Sequence, residues 1–178
     1  KLCDARGWLL MLDEVQTGLG RTGAWFAAEH GGITPDVLIL AKALGNGLPL
    51  GAMLAKEEIA VSLVPGTHAS TFGGNPLACR AALATLKVMQ DEQLDQRAAE
   101  LGQYFVTQFK QKLGSLNGVD DIRGQGLLLG IELNKDCGEL VKQALAKGLL
   151  INVTAGNVIR LLPPLVISQA EADRKSVV

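Results

Sequence analysis

The sequence has few of the residues that would indicate a disulfide scaffold or a metal centre. It contains 3 Cys and 2 His among 178 residues. Cys3, Cys79 and Cys137 are odd in number and widely spaced, which predicts free thiols in a reducing compartment. With only His30 and His68 present, a histidine-based zinc site is not expected. We therefore predict a cytoplasmic protein that binds no metal.

Long apolar runs and an excess of charge are also missing. No run reaches the roughly 18 to 20 apolar residues that a membrane-spanning helix needs. Lys and Arg total 17 against 18 Asp and Glu, so the net charge is −1, and no strong field favours nucleic acid or a membrane surface. We expect neither as a partner. Aromatic residues make up 4 % of the chain and glycines number 21, which favours an α/β fold with many tight turns over an all-β sandwich.

Apolar runs and glycine-rich loops alternate in the first half of the chain. The runs at 8–12, 37–41 and 51–55 have the composition of strands, and the first suits a parallel strand buried on both faces. A polar, glycine-rich loop follows at 66–76. This alternation predicts an α/β sheet.

Helical periodicity dominates after Pro76. Apolar residues recur at helical spacing in 77–89 and 94–113. A later Ser168, with Glu171 three residues on, predicts a capping box at a last helix. In the longer helix one apolar stripe is predicted, consisting of Leu94, Ala98, Leu101, Phe105 and Phe109. Short segments complete the second half: two strands within 119–133, a helix at 138–147, and a strand pair at 149–153 and 158–162.

This change of pattern predicts two domains, at 1–90 and 91–178. The first is the α/β sheet and the second is a small α+β domain. The chain opens at Lys1 without Met and ends within a helical pattern. We therefore expect it to be a fragment of a longer protein, truncated at both ends.

The glycine loop at 18–23 admits a nucleotide-binding interpretation. It matches G-x-G-x-x-G and follows a strand, as in dinucleotide-binding domains. The acidic pair Asp13 and Glu14 counts against this, as does Lys42 in place of the acid expected about 20 residues further on. An apolar strand ending in two acids also resembles the Mg²⁺-binding strand of a P-loop ATPase, but no G-x-x-x-x-G-K-[ST] motif is present.

Lys42 supports a different chemistry. Lys56 is followed directly by two acidic residues, whereas Lys42 follows an apolar strand and has no adjacent acid. One interpretation is a lysine that extends into water at the sheet edge. The other is a lysine desolvated at the strand end, whose neutral amine forms a Schiff base. Pyridoxal phosphate needs such a lysine, a carboxylate at its pyridinium nitrogen and donors for its phosphate. Asp13 is placed for the second role, because ligands of open α/β sheets bind at the carboxyl ends of strands.

Three long segments resemble the class III (ω-) aminotransferases. They are LDEVQTGLGRTG at 12–23, AKALGNGLPLG at 41–51 and HASTFGGNP at 68–76. The resemblance covers nearly the whole chain. It implies part of the large domain of a fold type I pyridoxal-phosphate-dependent transferase, followed by a small C-terminal α+β domain. Within the family, segments 123–132 and 150–167 are most similar to members that act on N-acetylornithine.

The resemblance implies a role for each matching cofactor residue. Lys42 would form the Schiff base and Asp13 would pair with the pyridinium nitrogen. Gln16 would hydrogen-bond the phenolic oxygen of the ring. Thr71 would bind the cofactor phosphate from the partner subunit of a homodimer, so that the two subunits share each site.

The resemblance also implies how substrates bind. Ser70 would lie near the substrate, and Arg160 would hold a substrate carboxylate through a two-pronged contact. Without the resemblance, Arg160 reads as an exposed charge on a strand. The implied reaction is transamination of N-acetylornithine with 2-oxoglutarate, and the alternatives are succinylornithine, ornithine or 4-aminobutyrate as the amine. Other site residues of the family have no counterpart in this sequence, so we expect the 178-residue chain alone to be inactive.

Overall fold

The computed structural model describes residues 1–175, which form two compact units. The first contains Lys1–Leu19 and Ala24–Gln93, and the second contains Gly20–Gly23 and the residues from Leu94 onward. The division into domains at 1–90 and 91–178 stays a prediction, and its last three residues lie outside the described part. No helix within residues 1–175 has both the length and the apolar character needed to cross a bilayer.

The first unit is built around a three-stranded sheet. The strand order is β1-β2-β3, with β2 parallel to β1 and antiparallel to β3. The mixed α/β class is confirmed for this unit. Its elements in chain order are α1 Leu2–Arg6, β1 Met11–Asp13, a 3₁₀ helix Ala27–Gly31, β2 Val37–Leu40, a 3₁₀ helix Lys42–Leu44, β3 Ala52–Ala55, α2 Glu57–Ala60 and α3 Pro76–Asp91.

The first two predicted strands are present but shorter, and only β2 is well buried. Val37 and Leu40 in β2 are 4 % and 5 % exposed, whereas Met11 in β1 is 54 % exposed. The prediction that β1 is buried on both faces is therefore wrong for the described residues. The reason is that β1 makes extensive contact with β2 alone among the described elements.

The second unit is a helix-covered antiparallel sheet with strand order β4-β5-β7-β6. All three neighbouring pairs are antiparallel. Helix and strand contents match the predicted α+β pattern. Its elements are α4 Leu94–Leu113, β4 Val119–Gln125, β5 Leu128–Leu133, α5 Leu140–Ala146, β6 Asn152–Thr154, β7 Val158–Leu161 and α6 Gln169–Lys175.

The predicted stripe of α4 contributes four of its five residues, all except Leu94, to the core of the second unit. All five of its residues are buried, and α4 packs on β4 and β5. Burial of an apolar stripe against a sheet is the main source of helix stability in proteins. From the sheet, the core includes Ile122, Leu129 and Ile131.

The predicted capping box is also confirmed. The Ser168 hydroxyl accepts from the Glu171 amide at 3.2 Å, and the Ser168 amide donates to the Glu171 carboxylate at 2.9 Å. These two bonds satisfy donors at the start of α6 that no helical carbonyl can reach.

Candidate active site

Asp13 ends β1, and Lys42 comes just after the parallel strand β2, at the same edge of the first sheet. In the β1–β2 ladder Asp13 pairs with Ile39, and Lys42 comes three residues after Ile39, with Ala41 between it and the end of β2. Pairing extends past the strand, since the Glu14 amide donates to the Ile39 carbonyl at 3.0 Å. The carboxyl ends of parallel strands are the edge where α/β sheets bind ligands.

The chain turns sharply after Asp13. One carboxylate oxygen of Asp13 accepts from the Val15 amide at 2.9 Å, which is an Asx-type turn. Asp13 itself is exposed, and Gln16 in the following turn is half-buried. The turn therefore fixes the Asp13 carboxylate by one oxygen and leaves it accessible at the sheet edge.

Lys42 has a backbone conformation that is unfavourable for a residue with a side chain. Its φ is 44°, in the left-handed region, which costs such a residue about 1 to 3 kcal/mol. Lys42 opens a 3₁₀ helix that ends at Leu44, and Lys42 is exposed. The expected desolvation at the strand end is therefore not found in the described residues, because the lysine lies in a turn beyond the strand. Strained backbones of this kind concentrate at functional sites.

Glu14 has a different role from its neighbour Asp13. It is 4 % exposed, and its carboxylate accepts from the Thr17 hydroxyl at 2.9 Å and from the amides of Ala27 and Ala28, each at 2.8 Å. The two amides start the 3₁₀ helix Ala27–Gly31, where donors lack helical partners. A buried carboxylate with three donors organises the loop that follows Asp13. Sequence reasoning missed this, although successive strand residues face opposite sides.

The glycine loop does not have the geometry of a nucleotide-binding loop. Its residues Gly20–Gly23 belong to the second unit, and Leu19 and Thr22 are buried. A Cβ at Gly23 would lie 2.9 Å from the Ala99 Cβ. No α-helix starts at the loop within the described residues, so the dinucleotide interpretation is wrong: the helix N-terminus that would bind the pyrophosphate is missing there, and Gly23 instead allows close packing.

Arg21 anchors this segment. Its guanidinium donates to the carbonyls of Leu127 and Pro163 at 3.3 Å and 2.5 Å, and the Leu127 amide donates to the Arg21 carbonyl at 3.0 Å. Burial lowers the pKa of Arg21, but a guanidinium stays charged at neutral pH. Two carbonyl oxygens therefore compensate a partly desolvated charge.

The remaining predicted residues belong to other elements than β1 and β2. Ser70 and Thr71 are exposed in the loop before α3, and the Ser70 hydroxyl accepts from the Gly73 amide at 3.1 Å. Arg160 lies in β7 of the second unit, paired with Gly130 of β5 and Asn152 of β6. Its Nε is buried and has no hydrogen-bond partner in the described part of the chain.

The family assignment follows from a family model and from known relatives. The model described as aminotransferase class III matches residues 1–176. The chain belongs to the pyridoxal-phosphate-dependent class III aminotransferases. The resemblance of the three motif segments to this family is thereby confirmed.

The curated relatives include acetylornithine aminotransferases from bacteria and archaea. That of Nitrosomonas europaea is 52 % identical over 174 residues, which cover 98 % of this chain and 44 % of the relative. That of Methanothermobacter thermautotrophicus is 53 % identical over 165 residues, or 93 % of this chain and 42 % of the relative. The chain thus spans less than half the length of these relatives.

Solved structures agree with this assignment. The acetylornithine aminotransferase of Elizabethkingia anophelis superposes with a TM-score of 0.92 at 42 % identity, covering 99 % of this chain and 45 % of that one. An ornithine aminotransferase of Toxoplasma gondii, with partially occupied pyridoxal phosphate at its active site, gives a TM-score of 0.94 at 41 % identity, covering 99 % of this chain and 42 % of that one.

Proposed function

We propose that this chain supplies the cofactor-linking lysine of an acetylornithine aminotransferase. One observation carries the proposal: Asp13 ends one strand, and Lys42 comes just after the adjacent parallel strand, at the same edge of the sheet. Pyridoxal phosphate needs an amine for its aldehyde and an acid for its ring nitrogen, and this pair fits both needs. Bound there, the cofactor would act as an electron sink for the substrate carbon that carries the amine.

Lys42 has two tasks in this proposal. Its Nζ forms no ion pair within residues 1–175, so the amine is available to bond the cofactor aldehyde. Once the substrate amine had displaced it, the freed Nζ would accept the proton from the substrate carbon that carries the amine and would deliver it to the former aldehyde carbon of the cofactor. Such a base must reach the carbon directly, which its exposure permits.

Asp13 holds a proton in place. Its carboxylate accepts the hydrogen bond of the protonated ring nitrogen, and the negative charge favours that protonated form. The bond from the Val15 amide restricts the carboxylate to one orientation. Gln16, in the turn that follows, donates to the phenolic oxygen of the ring.

The other roles follow the family. Thr71 binds the cofactor phosphate from the partner subunit of a homodimer, and Ser70 lies near the substrate; the exposure of both supports contacts outside their own loop. Arg160 binds a substrate carboxylate, which is supported by its buried and unpartnered Nε. We further propose that the first unit is part of the large cofactor-binding domain, that the second is the small C-terminal domain, and that the enzyme is cytoplasmic.

The test of the cofactor role is reduction with borohydride followed by peptide mapping. Reduction fixes a lysine-linked cofactor as a stable secondary amine. In the full-length protein loaded with pyridoxal phosphate, we expect the pyridoxyl mass on the peptide that contains Lys42 and none on the peptide that contains Lys56. A label on any other lysine, or no label, would contradict the proposal.

The substrate proposal rests on the identity to acetylornithine aminotransferases. N-acetylornithine would give N-acetylglutamate semialdehyde, and 2-oxoglutarate would leave as glutamate. We expect kcat/KM of the full-length protein for N-acetylornithine to exceed that for ornithine or 4-aminobutyrate by about tenfold or more, since the site must accommodate a neutral acetamide in place of a charged amine. Steady-state rates on this panel, with succinylornithine added, decide the amine. A faster reaction with ornithine would refute the substrate and leave the role of Lys42 intact.

A further inference from the structure

Arg123 and Arg160 flank a glycine on one face of the second sheet. Gly130 of β5 pairs with Arg123 on one side and with Arg160 on the other. Residues at one register on neighbouring strands point to the same face of a sheet. The neighbours Leu129 and Ile131 belong to the core, so the row of Arg123, Gly130 and Arg160 lies on the opposite face, here called the outer face.

The missing side chain at Gly130 leaves an open pocket on the outer face. The pocket has a volume of about 410 Å³, which is enough for a small carboxylic acid. The pocket is lined by residues of the row and by their neighbours in the sheet. These include Arg123, Gln125, Leu128, Thr154, Val158 and Arg160.

The two arginines differ in what they can still bind. Arg123 Nη1 lies 2.8 Å from the Asp121 carboxylate and 2.5 Å from that of Glu132. Hydrogen bonds to these two acids raise the pKa of Arg123, and Arg123 lowers that of Asp121. The positive charge of Arg123 is therefore already compensated by carboxylates of the protein. Arg160 has a buried Nε without a partner in the described residues. Buried donors in proteins are normally hydrogen-bonded, so this one can still bind an acceptor.

We propose that Gly130 controls the access of a substrate carboxylate to Arg160. This rests on the proposed role of Arg160 as a carboxylate-binding residue. A Cβ built at Gly130 would lie 3.5 Å from Val158 Cγ1, 3.9 Å from Arg123 Cγ and 4.0 Å from Arg123 Nε. These are ordinary contact distances, so alanine fits without moving protein atoms. Its methyl group instead takes space between the two arginines that an incoming carboxylate would use.

The experiment measures binding of glutarate, an unreactive dicarboxylic acid with the carbon chain of 2-oxoglutarate. Isothermal titration of the full-length protein compares wild type with Gly130→Ala, Gly138→Ala and Arg160→Gln. Gly138 is the matched control, because it lies in the same unit, outside the pocket, and an added Cβ meets nothing within 4 Å. We expect Kd to rise about tenfold in Gly130→Ala, to be unchanged in Gly138→Ala, and to rise beyond measurement in Arg160→Gln.

Thermal unfolding shows whether weaker binding comes from a filled pocket or from a destabilised fold. Neither alanine position has a left-handed φ, so both variants should melt at or above the wild-type midpoint. Wild-type affinity in Gly130→Ala together with lost binding in Arg160→Gln would overturn this inference and keep the proposed role of Arg160. Wild-type affinity in Arg160→Gln would refute that role and the inference with it.

Discussion

Replacing Lys42 by alanine is expected to lower kcat of the full-length aminotransferase by at least about 10⁴-fold. General base catalysis by a positioned side chain contributes about 10² to 10⁴ in rate, and this variant also loses the covalent link to the cofactor. Lys42→Arg should lose as much, because a guanidinium keeps the charge but neither forms the Schiff base nor gives up a proton at neutral pH. The measurement is the steady-state rate at saturating pyridoxal phosphate and amine.

Lys56 provides the control for this prediction. It also follows a strand of the first sheet, but its Nζ pairs with the Asp36 carboxylate at 2.7 Å, and it has no part in the proposed site. Lys56→Ala should therefore retain the wild-type kcat. More than a tenth of the activity surviving in Lys42→Ala would mean that another group links the cofactor or moves the proton.

Replacing Gly102 by alanine is expected to destabilise the second unit by about 3 kcal/mol or more. A Cβ at Gly102 would lie 2.0 Å from the Gly126 carbonyl oxygen and 2.4 Å from its carbonyl carbon. These are backbone atoms, which cannot rotate away. In a free helix the same change would stabilise by about 1 kcal/mol. A net destabilisation would therefore show that the clash with the Gly126 backbone outweighs the gain in helix propensity.

Chemical denaturation of Gly102→Ala and Gly138→Ala provides the comparison. For Gly102→Ala we expect a clearly lower midpoint with little change in the dependence on denaturant, because the surface exposed on unfolding stays about the same. Gly138→Ala should unfold like wild type, since it has open space around the added methyl group. Equal stability of the two variants would show that α4 and the turn at Gly126 are further apart than described.

Periodic and local features of this fold could be predicted from the sequence. The stripe of α4 and the capping box at Ser168 depend on spacings of three and four residues, which sequence shows directly. The shared position of Asp13 and Lys42 was also predictable, because the carboxyl ends of parallel strands lie at one edge. The resemblance to the family was visible in three motif segments, whose recognition does not depend on geometry.

Features that depend on distant partners could not be predicted. Glu14 is a structural carboxylate only because the chain returns 13 and 14 residues later to present two amides. Arg21 depends on carbonyls more than 100 residues away. The left-handed backbone at Lys42 opposes the local preference of any residue with a Cβ, so local preference predicts the opposite.

The assignment of Gly20–Gly23 to the second unit has a consequence for dissection of the molecule. The polypeptide enters that unit at Gly20, leaves it at Gly23 and re-enters at Leu94. No single break in the chain can therefore yield both units whole. A piece starting at Leu94 would leave the Leu127 amide without the Arg21 carbonyl. The segment Gly20–Gly23 would have to be restored by circular permutation or added as a separate peptide.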